Sequence, residues 1–157
     1  MHSEVLMMEE SKNNSKNNNE LSLDLFIVLA RAYNSVMSHS IRSVQSFGLN
    51  STEFGVLDLL YHKGPQPLQK IGEKVLISSG NITYVVDKLQ NKNLLVRIAS
   101  PDDRRVIFAD LTVEGRTFIE EVFPQHQNTI VESVGGLDEE EKKQAIELLK
   151  KLGLSAQ

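Results

Sequence analysis

The chain of 157 residues contains no cysteine. Disulfides, thiolate nucleophiles, zinc-thiolate sites and thiol redox switches are therefore excluded. It also lacks an apolar run of bilayer length, because the richest stretch, residues 25–32, is interrupted by Arg31 and belongs to an amphipathic pattern. A soluble protein is expected. The first residues show no basic start, apolar centre and small-residue cleavage site, so the expected address is the cytoplasm. Signs of catalysis are equally scarce. No nucleophile, glycine-rich phosphate loop or acid pair stands out, and His2, His39, His62 and His126 are too scattered for metal-ligand spacing on one helix. No catalytic residue, metal or cofactor is expected, and an enzyme would need a site that the sequence does not display.

What is present is an ordinary globular balance, 40% hydrophobic against 24% charged, with an uneven charge distribution. The net charge is -4, yet residues 67–116 carry eight Lys/Arg and six Asp/Glu. The acidity lies elsewhere, mostly towards the C-terminal end.

Residues 11–19 (Ser-Lys-Asn-Asn-Ser-Lys-Asn-Asn-Asn) have nothing apolar to bury, and residues 1–20 are expected to form a disordered arm. A long helix is predicted from about Leu21 to Ser46, with Phe26, Leu29, Tyr33, Val36, Ser40, Val44 and Phe47 along one stripe, stopped by Gly48. The next helix has a complete start: Asn50 as cap, Glu53 as its reciprocal partner, and Leu49 as a staple to Phe54. Lys63-Gly64-Pro65 ends it. A short helix over 68–75, a break at 76–78 and a helix from Ser79 to about Lys92, capped by Ser78 or Ser79, make a helix-turn-helix. Ile82, Val85, Val86 and Leu89 supply the inner face of that last helix; Gly80, Asn81, Thr83, Tyr84, Asp87 and Lys88 form the outer one.

Strand-like segments over 94–98 and 106–111, joined by the polar turn 100–105, read as a hairpin. Thr112 then caps a long helix that Pro124 should kink or interrupt before Ile130, Val131 and Val134 continue its apolar face. Gly135-Gly136 breaks the chain, and Asp138 with Glu141 opens a final helix carrying Ala145, Ile146, Leu148, Leu149 and Leu152. The expected fold is mainly α with a two- or three-stranded β wing: a winged helix-turn-helix over 49–111, between dimerisation helices at 21–48 and 112–157. Dimerisation is expected because a small winged helix cannot bury the apolar stripes of both terminal helices alone.

In such a fold the N-terminal end of the second helix meets base edges, so Ser79, Gly80, Asn81, Thr83 and Tyr84 are candidate DNA contacts, with Lys88 and Lys92 nearer phosphates. Asn81 suits adenine, Thr83 a thymine methyl or a phosphate, and Tyr84 the backbone. The hairpin tip carries Asp102, Asp103, Arg104 and Arg105. An arginine there can enter the minor groove, where flanking phosphates concentrate negative potential, and Asp103 can hold Arg105 in a fixed direction. The plain alternative is a solvated turn and a solvated helix face. Tyr33, Met37, His39, Tyr61 and His62 are candidate lining for an effector cavity, although Met and Tyr at helical spacing also make ordinary core.

Four segments together resemble the MarR family of bacterial regulators, over essentially the whole of residues 21–152. They are Leu49-Asn50-Ser51-Thr52-Glu53-Phe54, the run from Ser79 to Leu89, Asp102-Asp103-Arg104-Arg105, and Leu111-Thr112-Val113-Glu114-Gly115. The resemblance implies a homodimer with a winged helix in each lobe, a double-stranded DNA operator, and repression relieved by a small ligand. The family's Asp-x-Arg wing motif falls on Asp103 and Arg105. Within the family the chain is most similar to the MhqR-like group, which implies a phenolic or quinone effector. A winged-helix module used only for protein contacts, without DNA readout, is the alternative.

Overall fold

The computed structural model describes residues 2–75, 79–103 and 105–156, with side chains from residue 17 onward except at Ser79 and Gly80. The chain divides into two units, Met1–Ser38 and His39–Gln157. The first helix is α1 (His2–Ser46). This helix begins far earlier than expected, at His2 rather than near Leu21. Composition predicted a disordered arm because residues 11–19 bury nothing, but residues 2–46 contain neither glycine nor proline to break a helix. In the first unit Leu21, Leu23, Leu25, Phe26, Val28 and Tyr33 are all exposed.

The second unit starts with the last turns of α1, where Val44 is buried. Gly48, at φ +76°, takes the left-handed conformation that stops the helix. Asn50 and Glu53 close the expected capping box at the head of α2 (Ser51–Lys63), with Glu53 N–H donating to Asn50 Oδ1 at 2.8 Å and Asn50 N–H to Glu53 Oε2 at 3.0 Å. Leu49 and Phe54, the expected staple, are both buried in the core. Gly64, at φ +70°, ends α2.

Next come β1 (Gln66–Pro67), α3 (Leu68–Lys74) and α4 (Ser79–Asn91), the helix-turn-helix pair. The connecting break and a cap from Ser78 lie outside the described residues. Ile82, Val85, Val86 and Leu89 bury the inner face of α4 as the spacing predicts. The wing follows as β2 (Leu95–Ala99) and β3 (Ile107–Leu111), paired antiparallel from Leu95↔Leu111 to Ala99↔Ile107. A third strand completes the sheet in the order β1-β3-β2, with Gln66 opposite Ala109.

Thr112 caps α5 (Val113–Ser133): its hydroxyl accepts from Gly115 N–H at 2.9 Å and donates to the Asn93 carbonyl at 2.6 Å. The first turn of α5 is thereby tied to the base of the wing. Pro124 does not interrupt α5. It removes the bond to the Glu120 carbonyl, but both residues are exposed, so water can satisfy the freed oxygen. The Asp138–Glu141 box opens α6 (Glu139–Ser155) as expected. No residue of α6 is buried, and Ile146, Leu148 and Leu149 are at least half exposed. Among the described residues no helix is long and apolar enough to cross a membrane.

Candidate nucleic-acid interface

Burial of Ile82, Val85, Val86 and Leu89 turns the opposite side of α4 outward, leaving Asn81, Thr83 and Tyr84 exposed. Ser79 and Gly80 open the helix, and only their backbone is described. Lys88 is partly exposed, its Nζ 5.0 Å from the centre of the Tyr84 ring and 3.9 Å from Glu53 Oε1. The Tyr84 side chain, ahead of Glu53, raises the pKa of Lys88 above the ordinary lysine value. This lysine stays charged on the outer face.

Lys92 behaves differently from expectation. Its ammonium donates to Glu53 Oε2 at 3.1 Å and to the Gly48 carbonyl at 2.9 Å, instead of standing free for a phosphate. Glu53 is 2% exposed, so its carboxylate needs a cation more than a phosphate would. The acid that caps α2 thus also secures the C-terminal end of α4.

At the wing tip, Arg105 donates through Nε to Asp103 Oδ1 at 3.1 Å and through an amino group to Oδ2 at 3.3 Å, while its backbone N–H donates to Oδ1 at 3.0 Å. These bonds, the side-chain one foremost, hold the Asp103 carboxyl below the usual aspartate range. The guanidinium is restrained by the carboxylate, yet the Arg105 side chain is 91% exposed. Arg104 lies outside the described residues. Arg105 and Thr83 both border a groove of about 610 Å³ that is also lined by Gly72, Ile82 and Ile107, which places the wing tip beside Thr83 of α4.

An exposed polar helix face flanked by a wing with an oriented arginine is a geometry for reading double-stranded DNA. The family model described as "MarR family" matches residues 49–107. The HTH-type transcriptional regulator MhqR of Bacillus subtilis (strain 168) is 55% identical over 137 residues, covering 87% of this chain and 94% of that protein. The chain belongs to the MarR family of transcriptional regulators. Its homologues are DNA-binding regulators, not enzymes. A solved structure of Bordetella bronchiseptica BpsR, whose DNA binding is regulated by 6-hydroxynicotinic acid, is 26% identical, with TM-score 0.71 over 83% of this chain and 98% of that one. Sco3205 of Streptomyces coelicolor, solved in complex with DNA, shares the fold at 21% identity, with TM-score 0.76 over 85% of this chain and 86% of that one.

The candidate effector residues of this MarR-family chain fall in both units. Tyr33 is exposed and Met37 partly buried in the first. In the second, His39 is exposed, with Nδ1 3.3 Å from Arg42. Tyr61 and His62 meet edge to face at 5.1 Å, and His62 meets Phe123 at 5.1 Å and Asp58 Oδ1 at 3.1 Å. None of these five residues lines the groove beside Arg105. His126 packs on Phe54 at 4.6 Å and bonds the Ser43 hydroxyl at 3.1 Å; its burial lowers its pKa, partly opposed by Asp58.

Two residues with clear roles gave weak signals in the sequence. Arg97, the one charge in the otherwise apolar run Leu94–Ala99, leaves the wing to bond Asp87 and Gln90 of α4. Gly115 occupies a position where an added Cβ would stand 1.9 Å from the Leu94 carbonyl oxygen. The glycine lets α5 pack directly against the chain entering β2.

Proposed function

We propose that the protein is a cytoplasmic repressor that binds a near-palindromic operator as a homodimer and leaves it when a small aromatic ligand binds. One observation carries the DNA-reading part: the exposed Asn81, Thr83 and Tyr84 face stands beside a wing tip on which Asp103 orients Arg105. In this reading Ser79, Gly80, Asn81, Thr83 and Tyr84 meet base edges or backbone, Lys88 meets a phosphate, and Arg104 and Arg105 approach the minor groove.

Residues 21–48 and 112–157 serve as the dimer helices around the DNA-binding region 49–111. The support is apolar surface left uncovered in each unit: Leu21, Leu25 and Phe26 in the first, Ile146, Leu148 and Leu149 in the second. A twofold dimer presents two recognition helices to half-sites about one helical turn apart, ~10 bp. Sedimentation of the full chain checks the assembly. A monomer binding a single asymmetric site at full affinity would contradict it.

The ligand acts without a thiol, because the chain has no cysteine. It releases DNA through its different affinity for two states of the dimer, and a coupling of about 1–3 kcal/mol changes operator affinity some 5–150-fold. Tyr33, Met37, His39, Tyr61 and His62 are the proposed ligand contacts, and phenols, catechols and quinones are the compounds to test.

The deciding experiment selects bound duplexes from random DNA with the full chain. It then measures affinity against salt, which must fall steeply if phosphates are neutralised. Recovery of a palindrome supports the proposal; no enrichment, or binding indifferent to salt, rejects it. For the ligand, DNA binding restored by dialysis with unchanged protein mass supports reversible binding, and a persistent adduct overturns it.

A further inference from the structure

Arg97 stands at the middle of β2 opposite Ala109 of β3, half-buried. Its guanidinium donates to the Asp87 carboxylate and to Gln90 Oε1, and it lies 3.5 Å from the Thr83 carbonyl. Residues 83, 87 and 90 form one stripe along α4, so a single planar side chain grips nearly two turns of the helix that carries Asn81, Thr83 and Tyr84. Only an arginine offers that many donors in a fixed fork; a lysine keeps the charge but loses the geometry.

Two consequences follow for DNA reading. Asp87 is the only acidic residue of α4 and its side chain is 52% exposed. Unpaired, it would put a negative charge next to phosphates. β2 also runs straight into the tip, where Ser100 N–H donates to the Val106 carbonyl at 2.9 Å and Asp103 holds Arg105. The orientation of β2 against α4 therefore fixes where Arg105 stands relative to the bases facing Asn81.

We propose that Arg97 is a positioning residue for operator recognition: by clamping β2 to Asp87 and Gln90 it sets the wing at the angle from which Arg105 reaches DNA. The proposal rests on the DNA-reading function given above. Its own content is that Arg97 acts through the wing and not by touching DNA.

The test uses the duplex recovered by selection with the unaltered full chain, and four variants: Arg97→Met, Arg97→Lys, Arg105→Ala, and Arg97→Met with Arg105→Ala. Circular dichroism and a thermal melt establish that each is folded at the binding temperature. Arg97→Met should weaken binding roughly 5–30-fold, the range expected when a coupled contact is lost. Arg105→Ala should cost roughly 5–150-fold in the unaltered chain but less than about threefold in the Arg97→Met background, because a misplaced wing has little left to lose. Arg97→Lys should recover only a small part of the loss. Equal costs of Arg105→Ala in both backgrounds would overturn the proposal. So would full recovery by Arg97→Lys, or a salt slope that Arg97→Met lowers by about one in the Arg105→Ala background, the mark of a phosphate contact made by Arg97 itself. If Arg105→Ala costs nothing even in the unaltered chain, the DNA-reading role of the wing fails first and this proposal falls with it. That result is distinct from additivity.

Discussion

Lys92 and Glu53, 39 residues apart in sequence, form a 3.1 Å ion pair in which the acid is almost wholly buried and the base is partly exposed. The pair joins the head of α2 to the tail of α4, and Lys92 adds a bond to the Gly48 carbonyl between α1 and α2. Replacing Lys92 by methionine keeps the aliphatic stem and removes the charge. Stability should fall by about 1–3 kcal/mol, read by urea denaturation, since the Glu53 carboxylate loses its nearer cation. Lys88→Ala should leave the denaturation curve nearly unchanged and instead lower the salt slope of DNA binding by about one. The two lysines, four residues apart, one within α4 and one just past its end, would then be separated by experiment into a structural and a DNA-facing one.

At the wing tip, Arg105→Ala should weaken operator binding by about 1–3 kcal/mol, the scale of one good groove contact, without moving the melting temperature. The side chain is almost fully exposed, so the core does not miss it. Asp103→Ala should do less, because it frees the direction of Arg105 without removing its charge. Unchanged affinity in Arg105→Ala, alongside a normal melt, would take the wing out of the mechanism.

Gly115→Ala should be among the most damaging single-methyl changes in this chain. The new Cβ would meet the Leu94 carbonyl oxygen at 1.9 Å, a backbone atom that cannot swing away as a side chain could. Thr112 N–H also donates to that same carbonyl, at 3.2 Å, so any shift strains the cap of α5 as well. A loss of about 2–4 kcal/mol is expected, with poor expression of the variant. A melt within a degree of the unaltered chain would show that the backbone relaxes there at little cost.

His126 gives a pH dependence whose sign follows from its environment. Burial against Phe54 holds its pKa below the ordinary imidazole value, and the Asp58 carboxylate only partly opposes this. The unfolded chain therefore takes up the proton first as pH falls. The contribution of His126 to stability is complete above the ordinary histidine pKa of about 6.5, and it is lost as pH drops towards the lower folded value. Melting temperatures between pH 7.5 and 5.5 should decline more steeply in the unaltered protein than in His126→Gln. Parallel slopes would assign the acid sensitivity to other groups.

Local chemistry determined much of this protein before any tertiary contact formed. The capping boxes at Asn50–Glu53 and Asp138–Glu141, the stops at Gly48 and Gly64, the inner face of α4 and both wing strands depend on residues close in sequence, so their pattern is visible there. Asp103 and Arg105 are two residues apart, and their bond was legible for the same reason. Distant partners decided the rest. The two-residue strand β1 is too short to carry a signal of its own and exists because Ala109 and Phe108 of β3 lie alongside it. Lys92 reads as a phosphate ligand until a buried carboxylate from another helix claims it, and Arg97 reads as one surface charge until α4 supplies its acceptors. Gly115 is necessary only because the Leu94 carbonyl approaches it. A sequence lists donors, acceptors and apolar faces, but when several partners are chemically acceptable only the packed chain decides which one a side chain meets.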